Sequence, residues 1–168
     1  MTIIVEDGTG LSNSVSYGSV ANADAYFVGI GNASWAALTT NQKETALTNA
    51  TNYIDIRWDS SLPGRLLLTT QSLSFPRLVA GVAFYPVKLQ RATFEYAVRA
   101  AISPLAPDLA YDDTNRFLSR KLQEVGPIKE DVSFTARSAF PAQWRSYPLP
   151  DGIMQTFITS YLGTVIRA

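Results

Sequence analysis

The sequence predicts a mainly α fold, a small helical bundle with a projecting β-hairpin, a long central loop and extended termini. Three observations carry that expectation. Apolar residues recur with helical period after Thr39, after Pro86 and after Asp151. Residues 59–85 interrupt that period with Pro63, Gly64, Pro76 and Gly81. On either side of Val125-Gly126-Pro127, apolar residues alternate with polar ones, the pattern of two paired strands.

The chain opens with Thr2, Ile3, Ile4 and Val5, then the turn residues Asp7-Gly8-Thr9-Gly10. Residues 1–18 therefore read as a short strand and loop, an N-terminal arm rather than core. Ser19 is placed to cap a first helix with Ala23, Tyr26 and Phe27 on one face, and Gly29-Ile30-Gly31 ends it. Thr39 caps the next, with Gln42 three residues on to complete a capping box. Its apolar face follows as Ala46, Leu47, Ala50, Tyr53, Ile54 and Trp58.

Residues 59–85 then read as one long loop whose apolar content argues against plain disorder. Pro86 suits the first position of a third helix reaching about Ile102. Val87, Phe94, Ala97, Val98 and Ala101 form one apolar face, and Leu89, Ala92, Tyr96 and Ala100 a second. Lys88, Arg91, Glu95 and Arg99 make the polar stripe, with Arg91–Glu95 and Glu95–Arg99 as i,i+4 ion pairs. A helix apolar on two sides belongs in the centre or in a subunit interface. Residues 118–134 form the hairpin, with strands at 118–124 and 128–134, and a lone hairpin needs a neighbour. Residues 139–168 make a C-terminal arm and helix: Phe140, Trp144 and Tyr147 lie among prolines, and Asp151 caps a helix carrying Met154, Phe157, Ile158, Tyr161 and Leu162, closed by Gly163. Residues 1–168 thus read as a single domain, with Tyr26, Phe27, Leu47, Ala50, Tyr53, Ile54, Phe94, Ala97 and Val98 as its core.

Composition excludes much chemistry. The 168 residues contain no Cys and no His, so thiolate nucleophiles, imidazole bases and zinc sites built on either residue are ruled out. No Ser-x-x-Lys motif offers a lysine base, and no glycine loop is followed by the Lys-Ser or Lys-Thr of a phosphate cradle. Asp108, Asp112 and Asp113 lack the alternating ligands and fixed glycine of a calcium loop. We therefore expect no enzyme activity, cofactor or metal. No apolar run approaches the ~20 residues that span a bilayer, and the N-terminus lacks a signal-peptide pattern. The expectation is a soluble protein made in a cytosol.

Charged residues are 17% of the chain and balance to zero, whereas free DNA binders draw affinity from an excess of Lys and Arg. The balance is uneven along the chain. Residues 1–59 set Lys43 and Arg57 against Glu6, Asp7, Asp24, Glu44, Asp55 and Asp59, a net −4. Residues 60–101 set Arg65, Arg77, Lys88, Arg91 and Arg99 against Glu95, a net +4. The two segments can attract each other within one subunit or between neighbours. Arg57, Trp58, Arg65, Phe75 and Arg77 mix cations with aromatics as single-strand binders do. The competing reading puts Trp58 in the core and the arginines on carbonyls or acidic neighbours.

The order of several short pieces resembles a tailed-bacteriophage family of head–tail connector, or adaptor, proteins, some of whose members are labelled DnaT-like single-strand DNA-binding proteins. The pieces are Ser19-Val20 with Ala23-Asp24-Ala25-Tyr26-Phe27, then Trp35, then Ala46 with Ala50-Thr51-Asn52-Tyr53-Ile54-Asp55. Phe75-Pro76-Arg77, Pro86 with Ala92, Glu95 and Ala97, and Val125-Gly126-Pro127-Ile128 complete the series, which covers about residues 1–135. The resemblance implies a virion protein of the phage neck, made in the host cytoplasm. It would form a twelve-subunit homo-oligomeric ring between the portal protein and a downstream neck or tail protein, with DNA only as transiting cargo and no membrane partner. The label implies the alternative, a replication or recombination accessory that binds single-stranded DNA.

Under the ring reading, Leu66, Leu68, Phe75 and Arg77 of the long loop and Leu122, Val125, Ile128 and Val132 of the hairpin are expected at the subunit or neck interface. Trp144, Tyr147 and Leu149, held between Pro141, Pro148 and Pro150, are expected to dock on the portal. The alternative for that segment is that it wraps its own domain.

Overall fold

The computed structural model describes residues 3–106, 120–125, 128–133 and 144–159. The chain divides into two compact units, one of residues 1–105 with 146–168 and one of residues 106–145. The fold is mainly α. The larger unit contains, among the described residues, helices α1 (Val20–Gly29), α2 (Ala33–Ala36), α3 (Thr40–Trp58), α4 (Lys88–Ala100) and α5 (Pro148–Thr159). A 3₁₀ turn at Asp59–Ser61 follows α3 and leads to three short strands, β1 (Arg65–Leu66), β2 (Arg77–Val79) and β3 (Val82–Phe84).

Local chemistry sets the helix starts. The Ser19 hydroxyl accepts from the Asn22 amide, and the Asn32 side chain does the same for Trp35 at the head of α2. At α3 the capping box is complete, with Thr39 accepting from the Gln42 amide and Gln42 accepting from the Thr39 amide. All six residues of the expected α3 face are buried. They meet α4, whose Leu89, Ala92, Phe94, Tyr96, Ala97 and Val98 are buried as well. Eight of the nine expected core residues join this cluster, and Tyr26 is only partly buried against it.

Helix α4 differs from expectation in its polar stripe. Glu95 is buried, and the Tyr26 hydroxyl stands between it and Arg91, donating to Glu95 at 2.7 Å and accepting from Arg91 at 3.2 Å. The i,i+4 pair that forms is Glu95–Arg99 at 2.9 Å. Val87 precedes the helix and is 88% exposed, and Ala101 beyond its end is exposed too. Neither belongs to an apolar face.

The expected N-terminal arm is instead part of the core. Glu6 is buried, and its carboxylate accepts from the amides of Gly8, Gly10 and Leu11 and from the Ser14 hydroxyl at 2.9 to 3.0 Å. Four donors on one carboxylate satisfy its charge and wind residues 6–14 around it. Tyr17 follows, fully buried, and Gly18 lies so close to the Phe94 ring of α4 that a Cβ there would collide with it. Sequence pattern alone showed the turn residues but not the acceptor that organises them.

The expected long loop at 59–85 is also corrected, because it holds an antiparallel sheet of order β1-β2-β3. Arg65 and Leu66 pair with Leu78 and Arg77, and β2 pairs with β3 from Arg77↔Phe84 to Val79↔Val82. Ala80 and Gly81 make the two-residue turn between β2 and β3 with φ of 50° and 82°, the positive values a type I′ turn needs. Strands of two and three residues are too short for alternation to show. The sheet and its flanks contribute Leu62, Leu73, Phe75 and Val79 to the buried residues of the same chain.

Helix α5 begins at Pro148, three residues before the expected start, so Pro148, Leu149 and Pro150 lie in its first turn rather than in an extended arm. Asp151 sits within that turn. Met154 and Phe157 are buried on its inner face, while Tyr161 and Leu162 lie outside the described residues. The smaller unit contains strands β4 (Arg120–Val125) and β5 (Ile128–Ser133), an antiparallel hairpin near the expected limits. Its register sets Val125 opposite Ile128, Val132 opposite Lys121 and Leu122 opposite Asp131.

Leu47 is fully buried between α3 and its neighbours. Its replacement, Leu47→Ala, should cost about 2 to 5 kcal/mol of unfolding free energy, read by urea denaturation. A change below about 1 kcal/mol would mean that this face is not the core.

Candidate interaction surface

The mixed cation and aromatic constellation resolves into internal contacts. Arg57, in the last turn of α3, donates to the Asp151 carboxylate at 2.8 Å and to the Tyr53 hydroxyl at 2.5 Å. Its guanidinium lies 4.8 Å from the Trp58 ring centre. Trp58 is buried and donates its indole N–H to the Tyr96 hydroxyl at 3.2 Å. Tyr96 in turn donates to Asp151 at 2.5 Å, and burial followed by that bond pushes its hydroxyl pKa well up. The Tyr147 amide supplies a third donor to Asp151 at 2.9 Å.

Arg77 is equally committed. It donates to the carbonyls of Pro63, Gly64 and Ser74 and to the Asp59 carboxylate at 2.9 Å, and is 7% exposed. Phe75 is fully buried, edge-on to Tyr17 at 5.9 Å and to Phe157 at 6.2 Å. Of the five residues only Arg65 is exposed. The structure therefore shows the second of the two readings, a buried Trp58 with arginines on carbonyls and acidic neighbours.

These contacts correct part of the expected interface. Phe75 packs on Tyr17 and Phe157, and Arg77 of β2 bonds Asp59 and three carbonyls, so both face their own domain. Tyr147 is buried too, donating to the Leu105 carbonyl at 3.0 Å and packing against Tyr53 and Tyr96, so it wraps its own domain. Leu66 and Leu68 are 39% and 46% exposed, and Trp144 and Leu149 are 37% and 47% exposed. Leu122, Val125, Ile128 and Val132 have described backbone only, and Asp108, Asp112 and Asp113 lie outside the described residues. Among the described residues no group of acidic side chains is arranged to hold a metal ion.

Two features escaped the sequence reading. An open cleft of about 380 Å³ runs beside α1, α2 and the start of α3, lined by Phe27, Val28, Trp35 and Ala36. Asp24 stands at this cleft, taking the Trp35 indole N–H at 2.7 Å and Lys43 at 2.9 Å. Burial would raise the Asp24 carboxyl, but these two bonds outweigh it and hold the pKa below the usual value. The second feature is Asp55, where one carboxylate joins three segments. It accepts from the Tyr17 hydroxyl at 2.5 Å and the Ser74 amide at 3.3 Å, and Tyr17 also accepts from the Phe75 amide at 3.1 Å. Neither was visible as a motif, since the partners lie 11 to 38 residues apart.

A model of the family described as "Putative DnaT-like ssDNA binding protein" matches residues 1–167. The chain belongs to that family. No curated protein and no solved structure matches it. The match bears out the DnaT-like part of the resemblance and extends it beyond residue 135 through the C-terminal segment. In this DnaT-like chain, that segment includes the helix α5 anchored by Asp151.

Burial, partly countered by the Tyr17 and Ser74 bonds, raises the Asp55 pKa to about 6. The folded chain then takes up a proton near pH 6, whereas the unfolded chain does so near pH 4. Stability must fall as pH rises through that window, with on the order of 3 kcal/mol at stake. Denaturation at pH 4 to 7 should show the native chain losing stability relative to Asp55→Asn. A flat difference across the window contradicts the assignment.

Proposed function

We propose that this DnaT-like chain is a non-catalytic assembly subunit, the ring-forming head–tail connector of a tailed-phage neck. One observation carries the reading from the structural side. The groups that could grip a nucleic acid, Arg57, Trp58, Phe75 and Arg77, are spent inside the domain, while Leu66, Leu68 and Leu149 stay exposed. Single-strand binders instead present aromatic faces and a tracked line of cations. The residue order described for residues 1–135 supplies the phage-neck part of the reading. Apolar side chains on a low-charge surface suit a subunit that is covered by neighbours in a ring.

The second reading is single-stranded DNA binding, and the family description speaks for it directly. Under that reading Arg65, with Lys88 and Arg91, supplies exposed cations for phosphate. The two readings differ in what they require of the surface. A ring subunit needs apolar and shape-matched contact, and a DNA binder needs a salt-dependent one.

Mass photometry of the purified chain, alone and with its portal protein, combined with fluorescence anisotropy of a labelled oligothymidine at about 150 mM salt, separates them. The neck reading predicts a ring on the portal and no micromolar oligonucleotide binding. Tight, salt-dependent binding weakened by Arg65→Ala, with no portal complex, would replace it with the second reading.

A further inference from the structure

Asp55 differs from the other inward-facing carboxylates in what balances its charge. Glu6 takes four donors, Glu95 and Asp151 each meet an arginine, and Asp24 meets Lys43. Asp55 accepts only from uncharged groups, the Tyr17 hydroxyl at 2.5 Å and Ser74, whose amide lies at 3.3 Å. Among the described residues no ion pair involves it. One turn further along α3, Asp59 adds a like charge, which Arg77 offsets at 2.9 Å. On the far side of Tyr17 stands the hydroxyl of Tyr85, and α5 reaches this corner through the apolar Phe157, packed on Phe75. An ionised Asp55 is therefore left without a cation of its own, a costly state away from water.

The same carboxylate seats a loop. Ser74 and Phe75 are buried, and their amides go to Asp55 and to the Tyr17 hydroxyl, which itself donates to Asp55. Two consecutive backbone amides thus converge on one side chain of α3. Just before them, the Gln71 side chain donates to the carbonyls of Leu73 and Pro76 and accepts from the Leu68 amide. Gln71 thereby links the seating of the loop to Leu68, one of the exposed apolar side chains.

We propose that Asp55 is a proton-operated latch for the loop of residues 71–76: with the carboxyl protonated the loop stays seated on α3, and ionisation loosens it. The cause is solvation. In the seated loop the charge faces uncharged donors, whereas unseating Ser74 and Phe75 gives it to water. Opening therefore becomes easier as pH rises from about 4, where a solvated carboxyl titrates, to about 6, where the seated Asp55 does, and it levels off above. The latch is independent of the neck and DNA readings, and it acts by local opening rather than by unfolding of the whole chain.

Hydrogen exchange followed by NMR tests it, with each amide corrected for its intrinsic rate at every pH. The Ser74 and Phe75 amides should open at least about tenfold more readily than the core amide of Leu47. Their opening should rise about twentyfold between pH 4.5 and 7. In the native chain the rise should level off where the Asp55 side-chain carbonyl carbon titrates in the same sample. In Asp55→Asn, which keeps an acceptor for both bonds but cannot ionise, the rise should vanish. A rise that is missing from the native chain, that levels off away from the Asp55 titration, or that survives in Asp55→Asn overturns the latch. Ser74 and Phe75 exchange no faster than that of Leu47 overturns it as well, because the loop would then open only with the whole chain.

Discussion

The Asp151 carboxylate, 6% exposed, takes the Arg57 guanidinium, the Tyr96 hydroxyl and the Tyr147 amide at 2.5 to 2.9 Å. A carboxylate buried without partners would cost several kcal/mol, so its three donors must stay in place for α5 to stay folded onto the domain. Those donors come from α3, from α4 and from the residue just before α5. The contact therefore fixes three helices at one point, and the rings of Tyr53, Tyr96 and Tyr147 pack on one another with centres 5.0 to 5.9 Å apart. Among the described residues no buried side-chain polar atom is left without a partner. The polar interior is thus specified by hydrogen-bond geometry as well as by apolar volume.

The same constraint decides what the surface can do. The acidic first third and the basic segment after it are joined inside the subunit, where Asp59 of the first meets Arg77 of the second. Arg57 is drawn inward by Asp151, and Lys43 is held by Asp24. Lys43, Arg57 and Arg77 are thus consumed in folding, while Arg65, Lys88 and Arg91 stay exposed. Beside those cations the larger unit exposes apolar side chains such as Leu66, Leu68 and Val82.

Much of the helical framework was legible in the sequence because its signals are local. The Thr39 and Gln42 capping box, the Ser19 cap and the α3 apolar face each act within one or two turns, and each is found where the residues predict it. The hairpin was legible for the same reason. The sheet at residues 65–84 was not, because two- and three-residue strands carry no period. The N-terminal segment read as an arm because Glu6 looked like a solvated charge, and only its four donors make it a buried organiser. For the candidate site, the residue types in the Arg57 to Arg77 stretch were visible, but Asp151 lies 94 residues from Arg57 and no spacing rule connects them.

A double-mutant cycle on Arg57→Ala and Asp151→Ala, measured by urea denaturation, tests the central claim most directly. If the buried pair locks α5 to the domain, each single change leaves the other charge stranded. The account then predicts a coupling energy of about 2 to 3 kcal/mol, with the double variant little worse than either single one. Costs that add to within about 0.5 kcal/mol would contradict it, because they would show that the two residues act independently.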